Sequence, residues 1–418
     1  PQLFLKNARD VIARYRNHPS IVVWFGRNEG VPYPTLNEGL DDAVAQLDGT
    51  RWYTGSSNSI ELQGSGPYDY RPPAGYFTDL ATGFSVESGT PSLATLESVE
   101  RSVPKADLWP LSDTLAYHDW HFSGNGDTHG FMAALSTMFG APDSFEDFER
   151  KAQMMNMEDH KAMYEGFLGH LWTKNSGHLL WMSHPAWPSN IWQLYSWDYD
   201  TSAAYYGAKE ANKPLHVQLN LPDNKLVVIN TTQGDQPGMT VATRVVGLDG
   251  TPLFNRTDTV DAGANRKTDL ADVPLTPILA AHGAALVELV LKNAQGQEVD
   301  RNFYWRGRDE AAYRALDQLA QTPLALTAAA PVRDGNDMLV RATIDNPGKV
   351  PALEAKLTLV DGAGTQVLPA YFQDNYVSLL PGESRTIDIR FPADTPVNGA
   401  TLKLRGWNVV QRSVKAGG

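Results

Sequence analysis

The chain has 418 residues, of which 42% are hydrophobic and 20% charged, with a formal net charge of −13 and no cysteine. This length supports two or three domains, each with its own core. The absence of a run of 18 apolar residues excludes a membrane-spanning helix, and an acidic balance without a basic run argues against nucleic acid as a partner. Zero cysteines exclude disulfides, thiol catalysis and thiolate metal sites but leave the compartment open, with the periplasm and the extracellular space both admissible.

In chain order, Phe4, Ala8, Val11, Ile12 and Tyr15 recur at helical spacing and predict an amphipathic helix over Leu3 to Tyr15. His18-Pro19 ends it and hands over to a buried strand, Ile21 to Trp24. A second helix is expected over Pro34 to Leu47, followed by a short strand at Arg51 to Thr54 and a loop rich in Gly, Pro and Tyr over residues 64–73. Gly83 to Gly89 reads as a further strand, Pro91 to Arg101 and Phe145 to Trp172 as helices, the second with many exposed charges, and His178 to Ser183 as the last strand of this kind. Alternating strands and helices point to a parallel barrel.

After Lys213 the texture changes. Runs such as His216 to Leu219, Lys225 to Ile229 and Ala285 to Val290, separated by Gly, Asp and Asn turns, predict a β-sandwich. A helical interruption at Asp309 to Gln321 precedes a second set at Met338 to Ile344, Leu353 to Val360 and Arg385 to Phe391. The expected organisation is a portion of a parallel barrel over residues 1–212 and two β-sandwiches over 213–306 and 307–418.

The run Trp24-Phe25-Gly26-Arg27-Asn28-Glu29-Gly30 puts a carboxylate just beyond a buried strand, where an α/β barrel keeps its chemistry. Phe84-Ser85-Val86-Glu87-Ser88-Gly89 repeats the pattern 58 residues later (87 − 29). Two carboxylates on different barrel strands are what retaining glycoside hydrolysis requires, one as proton donor and one as nucleophile. Trp181, closing the last barrel-like strand, is the best candidate for a platform under a pyranose ring, and Tyr53, Ser56, Tyr68 and His184 lie on strand ends or adjacent loops within reach of subsites. His118 and His121, at i and i+3 around Asp119, lack a third ligand, so no metal and no cofactor is expected. The sequons at Asn230 and Asn255 are common chance triplets.

The stretch from Asn17-His18-Pro19-Ser20 to Glu29 resembles the acid/base signature of glycoside hydrolase family 2, in which an Asn-Glu pair ends the fourth barrel strand. The resemblance implies that Glu29 is the acid/base, that Asn28 hydrogen-bonds the sugar 2-hydroxyl, and that Glu87, on a segment similar to that family's nucleophile strand, attacks the anomeric carbon. Residues 64–69, Trp181 to Ser189 and Asp374 to Glu383 look like the branch that holds β-mannosidases, endo-β-mannosidases and exo-β-glucosaminidases. In that branch the Asn28-Glu29 pair is closer to the mannosidase pattern, since the glucosaminidases carry Asp at the acid/base position. The implied activity is hydrolysis of non-reducing terminal β-mannosides by double displacement. Exo-β-D-glucosaminidase, endo-β-mannosidase and a non-catalytic carbohydrate-binding protein stand as alternatives. The resemblance also implies that residues 1–212 are the second part of a (β/α)8 TIM barrel, strands 4–8, and that the two β-sandwiches over 213–306 and 307–418 are immunoglobulin-like. Barrel strands one to three and N-terminal domains are then implied to come from a preceding segment or another chain.

Overall fold

The structure, a computed structural model, describes all residues except 59–61, 64–67, 81–82, 125, 396, 398 and 418, and describes only the backbone of 62–63. The glycine-rich start of the loop expected at 64–73 therefore falls outside the described residues over 64–67, as does Asn125. The chain divides into two compact units, one formed by 1–67, 82–89 and 174–181, the other by 68–81, 90–173 and 182–418.

The smaller unit holds helices α1 (Gln2–Tyr15) and α2 (Pro34–Leu47) and strands β1 (Val23–Phe25), β2 (Trp52–Thr54), β3 (Leu62–Gln63), β4 (Gly83–Ser88) and β5 (Asn175–Leu180). β1 pairs with β2, and β3, β4 and β5 form a second sheet in that order, all in parallel. Ile12 of α1 packs on Ala43 and Val44 of α2, with Trp24 and Tyr53 against them. Of the apolar stripe expected to bury α1, only Ile12 does so, while Phe4, Val11 and Tyr15 are exposed. The strand expected at His178 to Ser183 runs instead from Asn175 to Leu180, three residues earlier, paired with β4 from Asn175 opposite Gly83; inside it Gly177 leaves room for the Phe84 ring of β4.

Arg51 clamps the start of the β1–β2 pair by donating to the carbonyls of Ile21 (2.6 Å) and His18 (2.9 Å) and to Asp48 (2.9 and 3.0 Å). The Thr50 hydroxyl, the Trp24 indole and Arg51 together hold the Asp48 carboxyl at about 2.

The larger unit is built on α7 (Phe145–Leu168), with α3 (Gly75–Thr78), α4 (Leu96–Ser102), α5 (Asp113–Tyr117), α6 (His129–Phe139) and α8 (Ala203–Ala211). α4 begins at Leu96 rather than near Pro91, because the Thr95 side chain accepts the Ser98 amide and caps it there. Ser144, with Glu146 and Asp147 in the first turn, starts α7 in the same way. Gly166 and Gly207 allow the backbones of α3 and α8 to close on α7, since a Cβ at either position would collide with a carbonyl. Helix α7 departs most from expectation. Its charged residues Glu149, Lys151, Glu158, Asp159, His160, Lys161 and Glu165 are buried, because the helix is wrapped on several sides and most of these groups meet partners on other elements.

The first β-region has β6 (Leu215–Leu219), β7 (Lys225–Asn230), β8 (Gln236–Val246), β9 (Pro252–Ala262), β10 (Arg266–Asp272), β11 (Ala284–Lys292) and β12 (Glu298–Gly307), with helix α9 (Leu275–His282) before β11. They form antiparallel sheets in the orders β10-β7-β6 and β12-β11-β8-β9. A 3-10 helix at Glu310–Gln318, capped by Asp309, occupies most of the span read as helical. The second region has β13 (Ala325–Ala328), β14 (Val332–Asp334), β15 (Asp337–Asp345), β16 (Ala352–Val360), β17 (Tyr371–Phe372), β18 (Val377–Leu379), β19 (Ser384–Pro392), β20 (Thr401–Arg405) and β21 (Arg412–Lys415). Its sheets run β13-β15-β19-β17, with β14 on β15, and β18-β16-β20-β21. Asn230 of the first sequon is fully buried and bonds Gly234, Ala262 and Thr232, whereas Asn255 is exposed.

His216 of β6 is fully buried between Asp300 (2.9 Å) and Glu165 (3.2 Å). Burial opposes its charge, but the two carboxylates outweigh burial and push its pKa up to about 9. Burial pulls His160 down to about 4, against the opposing effect of the Asn156 carbonyl at its Nδ1. The two act in opposite directions. His216 contributes stability that is complete below its ordinary value of 6.5 and lost as pH rises through 9, whereas His160 contributes stability present above 6.5 and lost as pH falls toward 4. Urea unfolding followed across this range should show His216→Gln losing the alkaline decline in midpoint and His160→Gln losing part of the acid one.

Candidate active site

Glu29 lies four residues beyond the C-terminal end of β1, on a turn that the sequence makes unusually tight. The Gly26 amide continues the β1–β2 ladder onto the Thr54 carbonyl (2.8 Å), and the Tyr53 hydroxyl lies where a Gly26 Cβ would be. Gly55 similarly makes room for the Asn37 carboxamide, which accepts the Tyr53 hydroxyl at 2.8 Å. Gly26 thus makes room for the Tyr53 hydroxyl and Gly55 for the Asn37 carboxamide that this hydroxyl meets. Glu29 itself has φ 55°, in the left-handed region that a non-glycine residue occupies at a cost of about 1 kcal/mol. Its amide donates to the Ser57 hydroxyl at 2.8 Å, and the Ser57 amide donates to the Arg27 carbonyl at 3.2 Å. Asn28 and Glu29 are both exposed at this turn.

Glu87 is half-buried and is the penultimate residue of β4. The register passes from Ser85 opposite His178 to Ser88 opposite Leu180, three steps on one strand (88 − 85) against two on the other (180 − 178). This irregularity brackets Glu87, and a bulge at such a place re-aims a side chain. Trp181 is tied to the same spot, since its amide donates to the Ser88 carbonyl at 3.0 Å while its indole stays 45% exposed. Ser88 and His178, whose Oγ and Nε2 are 3.3 Å apart, form a polar pair beside Glu87 that sequence reading missed. Both carboxylates thus stand at or just beyond the C-terminal ends of parallel strands of one compact unit.

The remaining candidates divide. Tyr53 turns its hydroxyl to α2, and Ser56 is buried with its hydroxyl accepting the Asn58 amide at 3.0 Å, so both build the turn. Ser57, its neighbour, is the residue that touches the Glu29 turn. Its signal was only its place one step past Ser56. Tyr68 and His184 belong to the larger unit. The Tyr68 ring packs on Trp192 at 4.5 Å and its carbonyl accepts the Trp192 indole, while His184 stacks on Tyr199 at 4.6 Å and 14°. In the same unit His118 stacks on Trp187 and its Nδ1 meets the Pro188 carbonyl.

Parallel strands with Glu29 and Glu87 at or just beyond their C-terminal ends are thus followed along the chain by two antiparallel β-regions. The chain's homologues are exo-β-glucosaminidases and β-mannosidases of glycoside hydrolase family 2. The family model of the mannosidase Ig/CBM-like domain matches residues 224–307, and that of the exo-β-D-glucosaminidase Ig-fold domain matches 302–409. An exo-β-D-glucosaminidase of Streptomyces avermitilis is 30% identical over 97% of this chain and 49% of its own length. A mannosylglycoprotein endo-β-mannosidase of Lilium longiflorum is 25% identical over 97% of this chain and 54% of its own length. Among solved structures, the exo-chitosanase of Amycolatopsis orientalis matches with a TM-score of 0.89 and 28% identity, over 99% of this chain and 54% of that one. The chain spans about half the length of the curated relatives it matches.

Because its hydroxyl is committed to Asn37, Tyr53→Phe should lower the free energy of unfolding by about 1 kcal/mol and leave sugar affinity unchanged. Chemical denaturation and calorimetric titration with a monosaccharide measure the two effects separately.

Proposed function

We propose that the chain carries both catalytic carboxylates of a retaining exo-acting β-glycosidase. Glu87 attacks the anomeric carbon while Glu29 protonates the departing glycosidic oxygen. Water then releases the sugar from Glu87 as Glu29 takes up its proton, so that both groups return to their starting states. The observation that carries this reading is the placement of Glu29 and Glu87 at C-terminal strand ends of one parallel unit, the first on a strained turn and the second at a strand irregularity. Asn28 is assigned to the sugar 2-hydroxyl and Trp181 to the ring face.

The parallel strands of the smaller unit are read as strands 4–8 of a (β/α)8 barrel within residues 1–212, with sandwiches at 213–306 and 307–418. The exposed Leu3, Phe4, Val22, Tyr33 and Trp52 support this reading, because the remaining barrel elements, on the same polypeptide or another, would cover such a surface.

The sugar is proposed to be a β-mannoside, on the strength of the Asn28-Glu29 pair. A second reading, β-D-glucosaminide, is supported by the 30% identity to an exo-β-D-glucosaminidase and would require an anionic contact for the substrate ammonium. Rates on paired 4-nitrophenyl β-mannoside and β-glucosaminide decide between them, with cleavage of mannosyl glycan but of neither aryl glycoside pointing to endo action. In the protein with its barrel complete, Glu87→Ala should lower turnover roughly 10⁴-fold or more while sugar binding persists. Rates like those of the parent in that variant would overturn the assignment.

A further inference from the structure

We propose that Ser57 is a positioning residue that fixes the Glu29 carboxyl for proton transfer, an inference that rests on the reading of Glu29 as acid/base. Glu29 is held at φ 55° without being glycine, so its backbone needs an external restraint to stay there. Ser57 supplies one from the neighbouring strand end. Its hydroxyl accepts the Glu29 amide at 2.8 Å and its own amide donates to the Arg27 carbonyl at 3.2 Å, pinning the turn at both ends of Asn28.

Ser57 is itself anchored. It is 7% exposed, and the turn that bears it is braced by the Thr54 hydroxyl on the Ser56 carbonyl (3.1 Å) and by the Asn58 amide on the Ser56 hydroxyl (3.0 Å). The Gly26 amide on the Thr54 carbonyl then locks this turn to the one that carries Glu29. A rigid, buried donor-acceptor residue thus grips an exposed, strained one, which is how a side chain on a loop is held to the fraction of an ångström that proton transfer demands.

Exposure separates positioning from bulk stability. Glu29 is exposed, so an amide released from Ser57 is taken up by water at little cost to folding, while the backbone is free to leave the left-handed region and carry the carboxyl with it. Ser57→Ala keeps the main-chain bond to Arg27 and removes only the hydroxyl.

The test uses the protein with its barrel complete and a series of aryl β-glycosides of graded leaving-group acidity, in whichever of the mannoside or glucosaminide series it hydrolyses. Glu29→Gln serves as reference, because loss of the acid slows poor leaving groups and spares dinitrophenolate. Ser57→Ala should lower kcat/KM roughly 10- to 100-fold for phenyl glycosides and less than about threefold for the dinitrophenyl glycoside, with thermal unfolding unchanged. Ser57→Thr, which keeps the oxygen, should restore the phenyl rate. Parent rates on every glycoside in Ser57→Ala, or an equal loss across the series, would overturn the inference about Ser57 alone. A flat profile in Glu29→Gln would overturn the acid/base reading and this inference with it.

Discussion

The larger unit depends on one buried ionic knot. Glu165 of α7 accepts from the Tyr304 hydroxyl (2.8 Å) and the Asn302 carboxamide (2.7 Å) and faces His216, while Asp300 bridges His216, the Val217 amide and Lys213. Helix α7, strands β6 and β12 and the chain segment after α8 are joined at a single cluster. Partial loss of such a cluster is costly, because removing one member leaves its partner charged and dry. Helix and sandwich are therefore not separately packed parts laid side by side, and the helical segments between the strands of the smaller unit count with the sandwiches as one compact body.

Two further clusters repeat the device at the second sandwich. Arg405 of β20 binds Glu149 of α7 and Glu97 of α4, and Lys356 of β16 also binds Glu97. Burial opposes the charge of Glu97, but Lys356 and Arg405 outweigh it and hold that carboxyl well below the usual range. Arg244 and Arg301 of the first sandwich share Glu288 and reach Glu383 of the second. These charge pairs add to an apolar cluster in which Phe139, Phe148 and Ala152 of the helices meet Leu286 and Trp305 of the first region and Leu353 and Trp407 of the second. The smaller unit is held differently, by the Arg51 clamp, a modest apolar cluster and glycines that allow close approach, and it places a strained Glu29 at its end.

Much of this was legible along the chain. Period-two alternation after Lys213 announced strands, and β7, β15, β16 and β19 lie where the pattern put them, because strands with a buried face carry their signal locally. The strand-end positions of Glu29 and Glu87 were legible for a similar reason, as polar residues near glycines after an apolar run. Helix α7 was legible as a helix and misread as a surface. Its charges obey helical spacing, but spacing carries no information about the residues more than a hundred positions away, such as Asn302 and Arg405, that pair with them. The contact of Ser57 with the Glu29 turn was likewise not legible, since adjacent serines in a turn differ only in which backbone crosses them.

The sequence by itself determined the order of the parallel and antiparallel regions, some of their elements and the presence of carboxylates at strand ends, all properties of neighbours along one strand or turn. Tertiary structure alone decided that α7 is a buried ionic spine, that Tyr53 and Ser56 build the turn, and that Ser57 grips Glu29. Each of these depends on the meeting of two distant segments of backbone, and hydrogen bonds made across that distance leave no periodic trace in either segment.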